Sequence, residues 1–178
     1  MKFNSDPESI KKAAAQIKLL LLDVDGVLTD GRLFFSNSGE EIKAFHSLDG
    51  HGIKMLAQAG IKVGIITGRN SAILEKRALE LGVELLYQGR ENKLDALNEI
   101  RKKTKLDYDK ICYVGDDFPD LPVLTTVGLS FSVPQGHADV RSAVDAITDT
   151  PGGLGAVREI SDFLLKSQEK YDQFKIPK

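Results

Sequence analysis

Two aspartates one residue apart, Asp23 and Asp25, stand directly behind four consecutive leucines, Leu19 to Leu22. An apolar run without alternation is the pattern of a strand buried on both faces of a parallel sheet. Ligands of open α/β sheets bind just past the carboxyl ends of such strands. Two carboxylates at that place repel each other. Either a divalent cation neutralises them, or one keeps a proton for acid catalysis. A solvated Asp-Gly turn would use the same residue types.

Three further apolar runs end in polar residues of use to the same chemistry. Ile61 to Ile66 leads into Thr67-Gly68-Arg69, and Glu84 to Tyr87 leads through Gln88-Gly89 to Asn92-Lys93. Lys110 to Val114 ends in Gly115-Asp116-Asp117, with Asp120 close behind. Successive strand ends therefore offer a carboxylate pair, a hydroxyl, an ammonium and a second carboxylate cluster. In an α/β sheet these ends converge on one crevice.

The ordered set resembles the haloacid dehalogenase superfamily of phosphotransferases, with Asp23 and Asp25, Thr67, Lys93 and Asp116 in its four motif positions. Within it the chain is similar to the sugar-acid phosphatases from about Lys18 to Gln168. That similarity includes Asp49-Gly50-His51-Gly52-Ile53, Tyr87-Gln88-Gly89 and the segment Gly152 to Glu159. The resemblance implies phosphate monoester hydrolysis through an aspartyl-phosphate, with Mg²⁺ as cofactor. On it, Asp23 is the expected nucleophile and a metal ligand. Asp25 is expected to protonate the leaving oxygen and then take a proton from water, with its backbone carbonyl on the metal. Asp116 is the expected second metal carboxylate. Thr67 and Lys93 are expected to stabilise the transferring group by a hydrogen bond and a point charge. Asp117 and Asp120 are expected to stand behind them, orienting waters or Lys93.

Substrate contacts are expected from Asp25, Gly68 and Lys93. Arg69, Arg77 and Lys54 are cations that the hydrolytic core does not require, and a substrate with a carboxylate besides its phosphate would explain them. The relatives also use the loop matching His46-Ser47-Leu48-Asp49-Gly50 for the sugar, although Leu48 replaces a basic residue found in some of them. The expected substrate is 3-deoxy-D-manno-octulosonate 8-phosphate (KDO 8-phosphate), a lipopolysaccharide precursor, with a nonulosonate 9-phosphate as the alternative.

These residues need a scaffold, and the pattern supplies an α/β one. Strand-like runs alternate with helical segments near residues 49–59, 71–81, 92–103 and 156–170. That alternation predicts a single doubly wound, Rossmann-like domain over residues 1–178, with a parallel sheet of about five strands. Asp6-Pro7 opens a first helix, Asp49 is the expected cap of the next, and Pro119 opens a short one. Ala146 to Thr148 is a candidate edge strand, and residues 155–178 form the last helix and a tail. Residues 31–45 read as a hairpin flap around Asn37-Ser38-Gly39. No stretch between the motifs is long enough for a cap domain. The hairpin carries Leu33, Phe34, Phe35, Ile42 and Phe45, more apolar surface than a free flap tolerates. The similar sugar-acid phosphatases are tetramers, so the resemblance implies a homotetramer whose neighbouring subunit supplies the missing lid. Gly152 to Gly155 and the tail from Gln168 to Lys178 are candidates to reach an adjacent site.

Composition narrows the alternatives. A net charge of −2 over 178 residues is no footprint for nucleic acid. The Leu19–Leu22 run is far too short for a bilayer, and the charged start lacks the apolar core of a signal peptide. The single cysteine, Cys112, sits inside an apolar run, and no internal disulfide is possible, which fits the cytoplasm. His46, His51 and His137 are spaced too irregularly for zinc. Val27 and Leu28 exclude a calcium loop beginning at Asp23. A receiver-type phosphoacceptor domain is the competing class, but its acceptor aspartate would follow the third strand, where this chain reads Tyr87-Gln88-Gly89.

Overall fold

A computed structural model describes residues 1–175. The chain opens with a short strand, β1 (Lys2–Phe3), and helix α1 (Pro7–Gln16), whose N-cap Asp6 accepts from the Ser9 amide. The leucine run is β2 (Leu19–Leu22), and a small hairpin of β3 (Phe34–Phe35) and β4 (Glu41–Ile42) follows. Then come α2 (Ser47–Gln58), β5 (Lys62–Ile66), α3 (Ala72–Leu81), β6 (Leu85–Tyr87) and α4 (Lys93–Thr104). The chain continues through β7 (Ile111–Val114), α5 (Leu121–Leu124), β8 (Leu129–Ser132), α6 (Ala138–Ala143), β9 (Ala146–Ile147) and α7 (Ala156–Ser167).

Seven strands form one sheet in the order β1-β9-β8-β7-β2-β5-β6, parallel except for β1. Successive side chains of a strand point to opposite faces, so the four leucines of β2 feed two cores. Leu20 and Leu22 join residues of α1, α2, α3 and α7 on one face. Leu19 and Leu21 join residues of α4, α5 and α6 on the other. This double cover is what an unbroken apolar strand requires.

The sheet is wider than the five strands expected. β9 is not the edge expected, because β1 pairs antiparallel with it, placing Lys2 opposite Ile147 and Phe3 opposite Ala146. A two-residue strand in a charged leader has no periodicity to reveal it; Phe3 earns its place by packing against Phe163. The hairpin is present, but its ladder pairs only Phe34 with Ile42 and Phe35 with Glu41. Asp49 does not cap α2; His46 does, through its ring nitrogen. Pro119 lies in a 3₁₀ turn, Phe118–Asp120, so α5 begins after it. α7 stops at Ser167, and the following residues fold back over their own subunit. Gln168 donates to the carbonyls of Ala14 and Ile17, and Lys170 to that of Ala59. Those carbonyls precede β2 and β5, so this stretch lies at the amino end of the sheet. Residues 176–178, the end of the tail expected to reach an adjacent site, lie outside the described residues.

Among the described residues, only the hairpin lies between β2 and α2, and only α3 and β6 lie between β5 and α4, so no cap domain is present. No described helix is long and apolar enough to cross a membrane.

Candidate active site

At the carboxyl end of β2 the Asp23 carboxylate is buried, and Lys93 at the first position of α4 reaches it with Nζ 2.8 Å from Oδ1. The same ammonium stands 2.7 Å from Asp120 Oδ1. A lysine in a first helical turn works against the helix dipole. Here the two carboxylates compensate, and Lys93 is only 5% exposed rather than solvated. Asp23, Asp25, Thr67, Gly68, Arg69 and Lys93 line one cleft of about 230 Å³, together with Arg90, Glu91 and Pro119.

Asp116, at the end of β7, completes the acidic group: one oxygen each from Asp23, Asp116 and Asp120 lies within 4.8 Å of the others. Proximity does not make all three equivalent. Asp120 Oδ1 accepts from Lys93 Nζ and from the Tyr113 hydroxyl at 2.6 Å. Its Oδ2 accepts from the amides of Asp116 and Asp117 at 3.0 and 3.2 Å. Four donors fill a carboxylate's usual capacity, so Asp120 orients Lys93 and the Asp116 loop. Asp23 and Asp116 keep free oxygens for a ligand. Asp117 is exposed and accepts from the Phe118 amide as a cap, turned away from the group.

Gly26 makes the approach of Asp116 possible. Its φ is +96°, and a Cβ there would stand 2.0 Å from Asp116 Oδ2. Any other residue would be strained and would push that carboxylate off the Asp25–Gly26 backbone. The Gly152 to Gly155 loop braces the same turn from its own chain. The Gly153 amide donates to the Val27 carbonyl, and a Cβ on Gly152 would overlap the Gly26 carbonyl. That loop, a candidate to reach a neighbouring site, packs against this turn of its own chain, with Leu154 exposed.

Burial raises the Asp23 carboxyl to about 8, with the charge of Asp120 adding to the effect and Lys93 opposing it. Burial and then Asp120 lift Asp116 to about 7. Burial works against the charge on Lys93, but Asp23 and Asp120 outweigh it and raise its pKa. One ammonium among three carboxylates leaves the site short of positive charge. All the free donors are oxygens, which is the set a hard divalent cation takes.

A family model for haloacid dehalogenase-like hydrolases matches residues 37–128. The 3-deoxy-D-manno-octulosonate 8-phosphate phosphatase KdsC of Salmonella typhi is 46% identical over 162 residues, covering 91% of this chain and 86% of its own. The chain belongs to the haloacid dehalogenase-like hydrolases. Among solved structures, the 3-deoxy-D-manno-octulosonate 8-phosphate phosphatase of Moraxella catarrhalis, in complex with magnesium, phosphate and KDO, superposes with a TM-score of 0.94. It is 42% identical, and the match covers 96% of this chain and 98% of that one. A probable YrbI family phosphatase from Pseudomonas syringae superposes with a TM-score of 0.93 at 45% identity, covering 94% and 96%.

In this hydrolase the residues singled out for the sugar divide into two groups. Gly68 and Arg69 border the cleft, whereas His46, Ser47, Leu48, Asp49, Gly50, Lys54 and Arg77 do not line it. Arg77 packs over the Phe45 ring, against Gly50, and pairs with Glu80. Asp49 is buried and accepts from the Arg158 amide at 2.7 Å, so it caps α7 across the core. The Asp25 side chain meets Lys43 at 2.6 Å and Arg69 at 3.7 Å.

Sequence reasoning missed Lys43, Glu41, Tyr113 and Arg90. The polar-apolar alternation of Glu41-Ile42-Lys43 carried a signal for the first two. A tyrosine inside an apolar strand carried one for Tyr113, since a buried hydroxyl needs a partner. Arg90 had no signal at all.

The raised carboxyls predict a pH dependence. Folded Asp23 and Asp116 hold protons more tightly than an unfolded carboxyl at 3.8, so the metal-free folded state binds extra protons from there to about 8. Its stability must fall as pH rises through that window. The melting temperature of EDTA-treated protein should therefore drop between pH 6 and 8.5, and the shift on adding Mg²⁺ should grow with pH. A Mg²⁺ shift independent of pH would refute this reading of the two carboxyls.

Proposed function

We propose that the chain is a cytoplasmic, Mg²⁺-dependent KDO 8-phosphate phosphatase, acting as one domain over residues 1–178 in lipopolysaccharide precursor synthesis. The observation that carries the chemistry is Asp23 bordering the cleft, with Lys93 at 2.8 Å and an Asp116 oxygen within 4.8 Å. The substrate rests on the near full-length 46% identity to a KDO 8-phosphate phosphatase.

Asp23 attacks the phosphorus in line, forming an aspartyl-phosphate as the ester P–O bond breaks. Asp25 gives its proton to the departing sugar oxygen. It then takes a proton from the water that attacks the aspartyl-phosphate, releasing phosphate and restoring Asp23. Thr67 donates to a phosphoryl oxygen, and Lys93 holds a fixed positive charge against the same group. Asp120 and Tyr113 keep that charge in place, so little reorganisation is needed as charge develops. Asp23, the Asp25 carbonyl and Asp116 would hold Mg²⁺, which would supply positive charge to the transferring phosphoryl group. Arg69 is the cation nearest to hand for the sugar's carboxylate. We assign Asp49 to the α7 terminus rather than to the sugar.

The test is turnover of KDO 8-phosphate, a nonulosonate 9-phosphate and simple sugar phosphates, with Mg²⁺ and with EDTA. Fastest release from KDO 8-phosphate, lost on chelation and not restored by Ca²⁺ with its longer, looser bonds, is the expected result. Preference for the nonulosonate would move the substrate but keep the mechanism. A stable phosphoprotein with no phosphate release would favour a receiver-type role.

The assembly belongs to the same proposal. Leu33, Phe34, Phe35 and Ile42 are each at least 43% exposed on a hairpin whose ladder is two pairs long. Such a ladder is marginal alone. Hairpins packed together in a homotetramer would bury this surface and roof the cleft. Phe34→Asp or Phe35→Asp should therefore lower both the mass seen by light scattering and the affinity for the sugar phosphate. A wild-type monomer with full activity at low concentration would refute the borrowed lid.

A further inference from the structure

The second arm of the hairpin alternates: Glu41, Lys43 and Phe45 turn inward, while Ile42 and Ala44 face solvent. Phe45 packs against the core, which anchors the arm at its base. Lys43 is the unusual member, a lysine whose side chain is only 3% exposed. Its Nζ donates to Asp25 Oδ1 at 2.6 Å and stands 3.2 Å from Glu41 Oε1. Arg69 closes the arrangement from the other side, with Nε 3.7 Å from Asp25 Oδ2 and Nη2 3.2 Å from Glu41 Oε1. Ser71, the cap of α3, donates to Glu41 Oε2 at 2.9 Å. Two cations and two carboxyl groups thus form a ring joining the hairpin, the end of β2 and the turn after β5; it is neutral when Asp25 is ionised, the form that takes a proton from water, and carries one positive charge when Asp25 holds the proton for the leaving oxygen.

A buried ammonium is costly without its partners, so this ring must hold together when the hairpin is docked. The two-pair ladder cannot hold the hairpin there by itself. Lys43 does not line the cleft, where Thr67, Arg69 and Lys93 do. Its charge is already matched by Asp25 and Glu41. What it touches is the side chain that must meet the leaving oxygen.

We infer that Lys43 is a positioning residue for Asp25, tying the hairpin to the proton donor so that hairpin docking and the placement of that carboxyl are one event. The inference rests on the proton-transfer role of Asp25 proposed above. It gives the flap a catalytic consequence inside its own subunit, separate from any contact between subunits. A reacting group displaced by an ångström costs up to about 100-fold in rate, and that is the scale on which Lys43 acts.

A kinetic double-mutant cycle tests it, with KDO 8-phosphate and saturating Mg²⁺. Lys43→Met should lower kcat by about 10–100-fold while KM changes by less than about three-fold. In an Asp25→Asn background the same replacement should change the residual kcat by less than about two-fold, because the group it positions is gone. Lys43→Arg should recover most of the turnover. If Lys43→Met does not fold, Lys43→Gln carries the same cycle, with melting curves confirming the fold. Equal losses of kcat in both backgrounds, or a loss in KM alone, would overturn the positioning role. A wild-type rate in Asp25→Asn by itself would instead refute the proton-donor reading, and this inference with it.

Discussion

Asp23→Asn is expected to abolish phosphate release, with a loss of at least about 10⁴-fold, the scale on which removal of a covalent nucleophile acts. The amide neither attacks phosphorus nor carries the charge that Lys93 and a cation balance. The fold should survive, because burial already raises the Asp23 carboxyl to about 8, and a neutral side chain suits that place. Asp25→Asn separates the two carboxylates. It should lose about 10²–10⁴-fold, the worth of a single positioned proton catalyst, while Mg²⁺ still shifts the melting temperature. The pair is checked by single-turnover phosphate release at high enzyme concentration and by Mg²⁺ titration of both variants. Wild-type-like release by Asp23→Asn would sink the covalent mechanism.

Lys93→Met should damage both activity and stability. Turnover is expected to fall by about 10²–10³-fold, as when one preorganised donor to the developing charge is removed. The ammonium is also structural. It lies between Asp23 and Asp120 at 2.8 and 2.7 Å, in a place with little solvent to take over its role. Removing one partner of a buried ion pair costs about 3–5 kcal/mol, since the remaining charge is left uncompensated. The cost should be larger at pH 8.5 than at pH 6.5, because the raised Asp23 and Asp116 carboxyls lose their protons between those values. Mg²⁺ should stabilise the variant more than the wild type. Denaturant unfolding at both pH values, with and without Mg²⁺, checks all of this. An unchanged midpoint would mean that Lys93 does not hold the acidic group together.

The two sets of results bear on different layers of the site. Asp23 and Asp25 test the chemistry, Lys93 tests the charge balance that lets buried carboxylates exist there, and Lys43 tests how the flap enters. Each layer could fail without the others. Active Lys43→Met protein alongside dead Asp23→Asn protein would leave the phosphatase mechanism intact and remove the flap from it.

The parallel sheet and the candidate cleft were both legible in the chain, because both rest on local patterns. Four unbroken leucines demand cover on two faces, which makes a doubly wound sheet the economical fold. Polar residues at the ends of successive apolar runs then converge without any knowledge of side-chain packing. The helical segment near residues 71–81 was legible for the same local reason, and in the structure Ser71 caps it and Gly82, with φ +72°, ends it. Other features were decided by contacts between residues far apart in the chain. β1 exists because Lys2 and Phe3 meet β9 some 140 residues later, and two residues carry no period of their own. Asp49 looked like a helix cap or a sugar contact, but its partner is the Arg158 amide on α7. Lys43 gains its partners only when the hairpin folds over Asp25 and takes it out of water. Apolar periodicity tells each segment which face to bury. The partner of a buried charge is chosen only when the segments pack, because the cost of leaving that charge unpaired arises only once water has gone.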